Sequence, residues 1–484
     1  MIITIAFIVL IFLLTRFLKS QQQSREYVNL PPGPTPLPLL GNLLSLVKDS
    51  HISISKLAKK YGGAMTLYLG NVRTIVISDP NLIKQVFVNQ SQDSTNRFIL
   101  ETAKIIGNGK NILFSNGDYW KQYRLVLSRS FMRLKTHSIM TDKINKEAEY
   151  FSNSFKSNPI IDPAHFCKIF TSNVMMEMLF NDRSKYSNTE THKIIEAIKN
   201  VEHGLAVGSS FDALPFLKLF FPNARKDLIK TLEDVWEYSK ESIVNHQNSL
   251  AKDENQINDF LDLLLTEIKG SGNESFYDME GLYRVCSDLL ISGTETSAST
   301  MTWLILYMIN NKDIQMKARK ELQDAMGDKK YLTMEDKSKT PFFNACIKEV
   351  LRIAPVGALS LPREATADLE VGGYLIPKDS QLIMNVYGLA TNAELWSDPL
   401  IFNPNRWLSE DQEMSNYQYI PFGIGSRACI GSSLAKDEIF LGVGNLLLNY
   451  EIDSENGKPL TEKGNFGIAL CSQPYQAKFT PLVI

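Results

Sequence analysis

The sequence predicts one large, mostly helical domain with small β-sheets, carried behind a short apolar N-terminal segment. Three observations carry this fold class. Apolar residues recur at helical spacing over 51–61, 117–133, 163–180, 223–249, 276–310, 340–353 and 432–449, whereas alternation is confined to short stretches near 64–78, 359–376 and the C-terminus. The chain holds 25 Phe, 18 Tyr and 5 Trp, enough to fill a sizeable core and to exclude a disordered chain. Nothing in 43–484 reads as a Pro/Gly/Ser-rich linker, so the several domains of roughly 150 residues that 484 residues would allow reduce to one.

The elements follow in order. Residues 1–14 read MIITIAFIVLIFLL, and Phe17 and Leu18 extend the run past Thr15 and Arg16. Eighteen helical residues at ~1.5 Å each reach roughly 27 Å, near the thickness of a thin bilayer. No cation precedes the run and no small-x-small cleavage site follows, which favours an anchor over a cleaved signal. Arg16, Lys19 and Arg25 follow it, so the positive-inside bias places the remainder in the cytoplasm. This predicts a transmembrane anchor at 1–19, a linker with a Pro-rich hinge at 20–42 and a catalytic body at 43–484. Pro31, Pro32, Pro34, Pro36 and Pro38 stiffen the hinge. TLYLG and RTIVIS flank Gly70-Asn71, a hairpin signal, and Asp79-Pro80 opens a helix. The stretch 204–222 clusters Phe216, Leu217, Leu219, Phe220 and Phe221, which suits either a membrane-dipping loop or core packing.

Charge and cysteine content narrow the function. Net charge is −2, leaving no positive balance for a nucleic-acid backbone. The 5 cysteines (167, 286, 346, 429 and 471) form no CxxC pair, and an odd, sparse set suits reduced thiols. The last of the 6 histidines is His246, so any metal in the second half takes Cys, carboxylate or carbonyl ligands.

One cysteine stands out. FGIGSRACIG at 422–431 places Cys429 in a Gly-rich turn directly before a helical run, where free N–H groups and the helix dipole favour a thiolate. Arg427 adds positive charge. Phe422, Gly425, Arg427, Cys429 and Gly431 match F-x-x-G-x-R-x-C-x-G at each fixed position, and here the sequence resembles the cytochrome P450 family of haem-thiolate monooxygenases. The resemblance spans essentially the whole chain. It implies the cytochrome P450 fold preceded by an N-terminal transmembrane helix, haem b (iron protoporphyrin IX) as cofactor, and Cys429 as axial ligand to the haem iron.

Other positions gain roles from the same resemblance. Glu295 is the single charged side chain between Asp288 and Lys312, a costly placement in a buried helix. With Thr296 it matches the family's acid–alcohol pair, which relays protons in oxygen activation; Ser292 stands where the family usually has Ala or Gly. Glu349 and Arg352 form an E-x-x-R pair which, with Arg406, implies a buried ionic brace. Trp120 and Arg124 lie one helical turn apart and, with Arg363 and Arg427, offer donors for two haem propionates. Lys121, Arg129, Arg133 and Lys135 make the helix from 117 basic, implying a docking face for an acidic electron donor.

The resemblance therefore implies insertion of one oxygen atom from O2 into an apolar substrate, with electrons from NADPH–cytochrome P450 reductase or cytochrome b5. It also implies the endoplasmic reticulum membrane, with the domain on the cytoplasmic side. Two other classes stay open here. One is a haem-thiolate isomerase or dehydratase needing no O2, against which Glu295 and Thr296 argue. The other is a non-enzymatic lipid-binding membrane protein, against which the complete cysteine signature argues. The pocket would draw on Phe98, Ile105, Ile106, Leu289, Val356, Leu359, Ile468 and Leu470.

Overall fold

The computed structural model describes residues 29–482 except 47, 137, 157–159, 184–193, 199, 202–211, 213, 215–222, 251–256 and 409–416. The expected anchor at 1–19 and most of 204–222 lie outside the described residues. Among the described residues no helix is long and apolar enough to cross a membrane.

The longer helices are α1 (Ser50–Tyr61), α2 (Glu101–Gly107), α3 (Gly117–Thr136), α4 (Ser138–Ser154), α5 (Pro163–Phe180), α6 (Ala224–Leu250), α7 (Phe260–Gly270), α8 (Met279–Asn310), α9 (Lys312–Met326), α10 (Pro341–Ile353) and α11 (Ser432–Asn449). The strands are β1 (Ala64–Leu69), β2 (Val72–Ile77), β3 (Ile160–Ile161), β4 (Arg363–Glu364), β5 (Leu369–Val371), β6 (Tyr374–Ile376), β7 (Gln381–Met384), β8 (Tyr450–Ser454), β9 (Gly464–Phe466), β10 (Leu470–Ser472) and β11 (Ala477–Pro481). They form a four-stranded sheet in the order β1-β2-β7-β4, a three-stranded β3-β11-β8 sheet and the pairs β5-β6 and β9-β10.

Local chemistry accounts for several boundaries. Gly70, at φ 61°, turns the β1–β2 hairpin, setting Leu69 opposite Val72. Asp79 caps the helix opened by Pro80, its carboxylate accepting the N–H groups of Asn81 and Leu82. The predicted helix at 276–310 starts later, at Met279, because Asp278 caps it by accepting the Gly281 N–H at 2.8 Å. The Pro-rich hinge lies along β1, where Thr66 donates its N–H to Pro32 and its hydroxyl to Pro31.

The core sits between helices. α8 packs on α5 and α11, and Trp303, Leu304, Phe170, Phe343, Phe440 and Leu446 are buried together. Gly293 leaves room for the Met175 side chain of α5, which a Cβ there would meet. At an upper-end ~3 kcal/mol per fully buried large apolar side chain, this interior is what fixes the site-bearing helices.

Candidate active site

The cysteine turn is built from backbone. Cys429 donates its N–H to the Phe422 carbonyl at 2.9 Å, and Ala428 donates to Gly425 at 3.0 Å, folding 422–429 back on itself. Gly425 has φ 70°, and a Cβ there would lie 2.6 Å from the Phe87 carbonyl oxygen, so both conformation and space exclude a side chain. α11 begins three residues after Cys429, with Gly431 at its N-cap.

The Cys429 side chain is exposed at this turn. The sequence led to the expectation of a thiolate stabilised by the helix start. Loss of hydration instead pushes the thiol above its ordinary range, and the Gly431 N–H, Arg124 and Lys436 pull it down without prevailing.

Arginines converge around the turn. Trp120 is buried, and its ring lies 3.8 Å from the Arg427 guanidinium. Arg124 donates to the carbonyl of Ala428, beside the cysteine, at 2.8 Å. Arg427 donates to Thr95, Ser115 and Asn116, and Arg363 donates to the Ile424 carbonyl at 2.7 Å. Arg97 joins them, held by the carbonyls of Leu113 and Leu361 and bridged through backbone to Arg363. None of these four arginines pairs with a carboxylate among the described residues. Nε and Nη1 of Arg363 and Nη1 of Arg427 are buried without a partner.

Burial and mutual repulsion lower these cations. Arg427 falls to about 8, through burial and then Arg97, Arg363 and Arg124. Arg97 falls to about 9, through burial and then Arg363 and Arg124. Arg363 falls to about 10 by burial alone. Such a cluster lacks counter-charge. A planar group carrying two carboxylates fits it, and haem b is such a group.

Behind the turn lies a closed ionic network. The Glu349 carboxylate accepts Arg352 Nε at 2.9 Å and Nη2 at 2.8 Å, Arg406 Nε at 2.9 Å, the Asn403 N–H at 3.1 Å and Trp407 Nε1 at 2.9 Å. Arg352 also donates to the carbonyls of Ala390 and Pro399. The Trp407 ring lies 4.6 Å from that of Tyr419, three residues before Phe422, so the network braces the chain entering the turn.

On α8 the acid and alcohol face different ways. Thr296 is exposed and donates its hydroxyl to the Ser292 carbonyl at 2.6 Å. Glu295 is not the lone carboxylate that the sequence implied. It is ion-paired at 2.5 Å with Lys168 from α5, and accepts the Ser299 hydroxyl at 3.3 Å with Cys471 at 3.7 Å. Sequence spacing missed this because α5 and α8 are far apart along the chain and meet only on folding.

A family model for cytochrome P450 matches residues 31–479. The chain belongs to the cytochrome P450 family. It is 51% identical to "Probable cytochrome P450 516A1" of Dictyostelium discoideum over 99% of this chain and 100% of the relative. It is 36% identical to "Probable cytochrome P450 516B1" of the same organism, over 92% of this chain and 94% of the relative. It is 27% identical to mouse "Cytochrome P450 2J5" over 96% and 94%. Cytochromes P450 are monooxygenases that bind haem b through a cysteine thiolate, so this chain is an enzyme of that class.

The P450 body adds residues that the sequence reading omitted. Arg97 is the foremost: it follows a polar stretch in the sequence, and its burial beside Arg363 comes only with folding. Asp288 is a second. Its buried carboxylate accepts the N–H groups of Ile112 and Leu113, both at 3.0 Å, pinning the loop before α3 to α8; burial raises it to about 7. Of the residues expected to line the pocket, Ile105 and Ile106 lie in one cluster with Phe114 and Ile291. Leu470 instead turns into the main core and Leu359 packs against the cluster near β1. His246, Asp259 and Asp262 also gather within 4.8 Å, but Asp259 caps α7 and pairs with His246, which explains them without a metal.

Proposed function

We propose that this P450 inserts one oxygen atom from O2 into an apolar organic substrate, with electrons from a separate NADPH-dependent reductase. It does so from a membrane-anchored position on the cytoplasmic face of the endoplasmic reticulum. The observation carrying the reading is the set of four carboxylate-free arginines around the turn of Cys429. Haem b, when bound, supplies the redox and oxygen chemistry.

The chain's own residues do the rest. Cys429 is the assigned thiolate ligand. Phe422 and Gly431 frame its turn, and Gly425 lets the turn approach Phe87. Arg97, Arg124, Arg363 and Arg427 neutralise and orient the two carboxylates of the cofactor, with Trp120 stacked under Arg427. Glu349, Arg352 and Arg406 hold the turn's approach. Thr296 presents a hydroxyl on the open face, and Glu295 is the nearby acid, charge-balanced by Lys168. Ile105, Phe114 and Ile291 exclude water from the substrate side, consistent with an apolar ligand. On the outer face of α3, Lys121 and Arg129 are exposed beside Leu125 and Met132, a basic and apolar surface suited to an acidic donor. Arg133 is taken up by Glu267 of α7 at 2.9 Å and contributes less to docking. The apolar run at 1–19 supports the anchor.

Reduction of the full-length protein under carbon monoxide tests the reading. A red-shifted, thiolate-type Soret band is expected and is expected to vanish in Cys429→Ser. Its absence from the unsubstituted protein overturns the assignment. Turnover that requires both O2 and reductase separates a monooxygenase from an isomerase, and ligands that shift the ferric spin state identify the substrate class.

A further inference from the structure

α2 is 7 residues long, too short to stay helical on its own propensity, so its order depends on what it packs against. Ile105 and Ile106 give it one apolar contact, in the cluster with Leu228, Leu232 and Trp236 of α6 and Ile291 of α8. The first and last turns of a helix leave backbone groups without partners inside the helix, and in α2 other elements supply them. At the start, the Asp212 carboxylate accepts the Thr102 N–H at 3.0 Å and the Thr102 hydroxyl. At the end, Arg284 of α8 donates Nη1 to the Ile106 carbonyl at 2.7 Å.

Arg284 does more than close that carbonyl. It is 8% exposed, and its guanidinium lies 4.3 Å from the centre of the Trp236 ring, a cation–π contact to α6. Its Nε donates to Glu280, one turn earlier on α8, at 3.2 Å. Glu280 also accepts Lys110 at 3.0 Å, which ties the chain leaving α2 to the start of α8. One side chain thus joins α2, α6 and α8 beside a single apolar cluster. α6 and α8 have a second tie, the buried hydroxyls of Ser239 and Ser287, 2.9 Å apart. Loss of Arg284 therefore frees chiefly the end of α2.

We propose that Arg284 is a positioning residue: it latches α2 shut over the apolar cluster and so sets the rate at which an apolar ligand passes. The inference rests on the reading that puts this cluster on the substrate side. A latch that holds the same closed form with and without ligand has no differential affinity for the two. It raises the barrier in both directions, so entry and exit slow together and affinity stays nearly constant.

The test uses full-length, haem-loaded ferric protein. The probe is 4-phenylimidazole, followed at the Soret band by stopped flow, and amide hydrogen exchange is read over 101–110. Arg284→Met keeps most of the stem and removes the charge and the donors. It is expected to speed exchange over 101–110 and both rate constants of the probe about tenfold, the scale of one hydrogen bond to a charged group, with Kd changed less than about twofold. Trp236→Leu removes the aromatic partner and is expected to speed the same rates by less. In the double variant the two effects are expected to fall short of their product, because one latch is lost only once. Unchanged probe rates in Arg284→Met overturn the proposal, even where exchange quickens, since α2 would then be latched off the ligand's path. A loss of affinity carried by exit alone also overturns it, as the mark of an ordinary wall contact. So does exchange that quickens over the whole domain, the mark of a general loss of stability. Absence of a thiolate-type Soret band from the unsubstituted protein sinks the haem-thiolate reading instead.

Discussion

Glu349→Gln removes one charge and almost no volume from the most enclosed ionic group in the site. The wild-type carboxylate accepts five hydrogen bonds, and the side chains of Glu349, Arg352 and Arg406 are 0%, 1% and 3% exposed. The amide oxygen of Gln can serve the Arg406, Asn403 and Arg352 Nη2 donors. Its NH2 group then faces Arg352 Nε and Trp407 Nε1, donor against donor. Two bonds are lost and two buried guanidiniums lose their counter-charge, a change that costs about 3–5 kcal/mol in comparable buried pairs. That is a large part of a typical stability of roughly 5–15 kcal/mol. The assay is urea denaturation, with the loss read as a midpoint shift at constant slope. Glu101→Gln is the control. Its partner Lys104 is 58% exposed and Glu101 40%, so that pair is worth no more than ~1 kcal/mol. The acid limb gives a second readout. Burial pushes Glu349 up, but the hydrogen bonds and charge of Arg352, the Asn403 N–H and Arg406 outweigh it, so it lies below its ordinary range. Its stabilisation is complete above that ordinary range and is lost as pH falls through the depressed value. Glu349→Gln lacks this acid-side loss. A variant within 1 kcal/mol of wild type, or one no worse than Glu101→Gln, would refute the brace.

Three further outcomes are expected. Arg97→Met removes a repelled cation, so it should speed haem transfer to apomyoglobin by ~10-fold or more while leaving the haem-free protein no less stable; unchanged transfer would remove Arg97 from the cluster. Glu438 on α11 is buried facing Ser297 with neither oxygen well hydrogen-bonded, and burial, with Asp437 nearby, raises it to about 8 against the pull of Ser297. The unfolded chain releases this proton at the ordinary glutamate value and the fold keeps it until about pH 8, so stability falls as pH rises across that window, by at most ~5 kcal/mol. Glu438→Gln should flatten that slope in melting curves, and an unaltered slope counts against a protonated Glu438. Arg129→Glu should slow reductase-driven turnover most at low salt, without altering the carbon monoxide spectrum; equal turnover at every ionic strength would exclude α3 as the docking face.

Legibility in the sequence followed the range of the interactions. The β1–β2 hairpin, the start of α5 at Pro163, the span of α10 and the helix after Cys429 were readable because a turn residue, a cap or a long apolar period sits within the segment itself. α9 was overlooked because it buries little more than Gln315, Ala318 and Leu322 beneath a heavily charged surface, so its apolar stripe is thin. α7 hid in the run FLDLLL, too short to show a period. In the site, the Cys429 turn and the Glu349–Arg352 pair were local motifs. Arg97 and Lys168 were invisible as partners because Arg97 reaches Arg363 across a backbone bridge, and Lys168 reaches Glu295 across a helix contact, neither of which any spacing rule encodes.

The arginine cluster links cofactor and fold more tightly than the cysteine alone does. Arg97, Arg363 and Arg427 are each buried, and mutual repulsion depresses the first and last. Polypeptide alone holds like charges together at a cost, and the unpartnered atoms of Arg363 and Arg427 add unmade hydrogen bonds to it. A dianionic ligand relieves both at once. Binding to the native state alone stabilises it by mass action, so loading is coupled to order in the segments that contribute or hold the arginines: 95–97, 113–116, α3 at Arg124, the start of β4 and the cysteine turn. The cluster therefore suits the two carboxylates of haem b, the cofactor of the family.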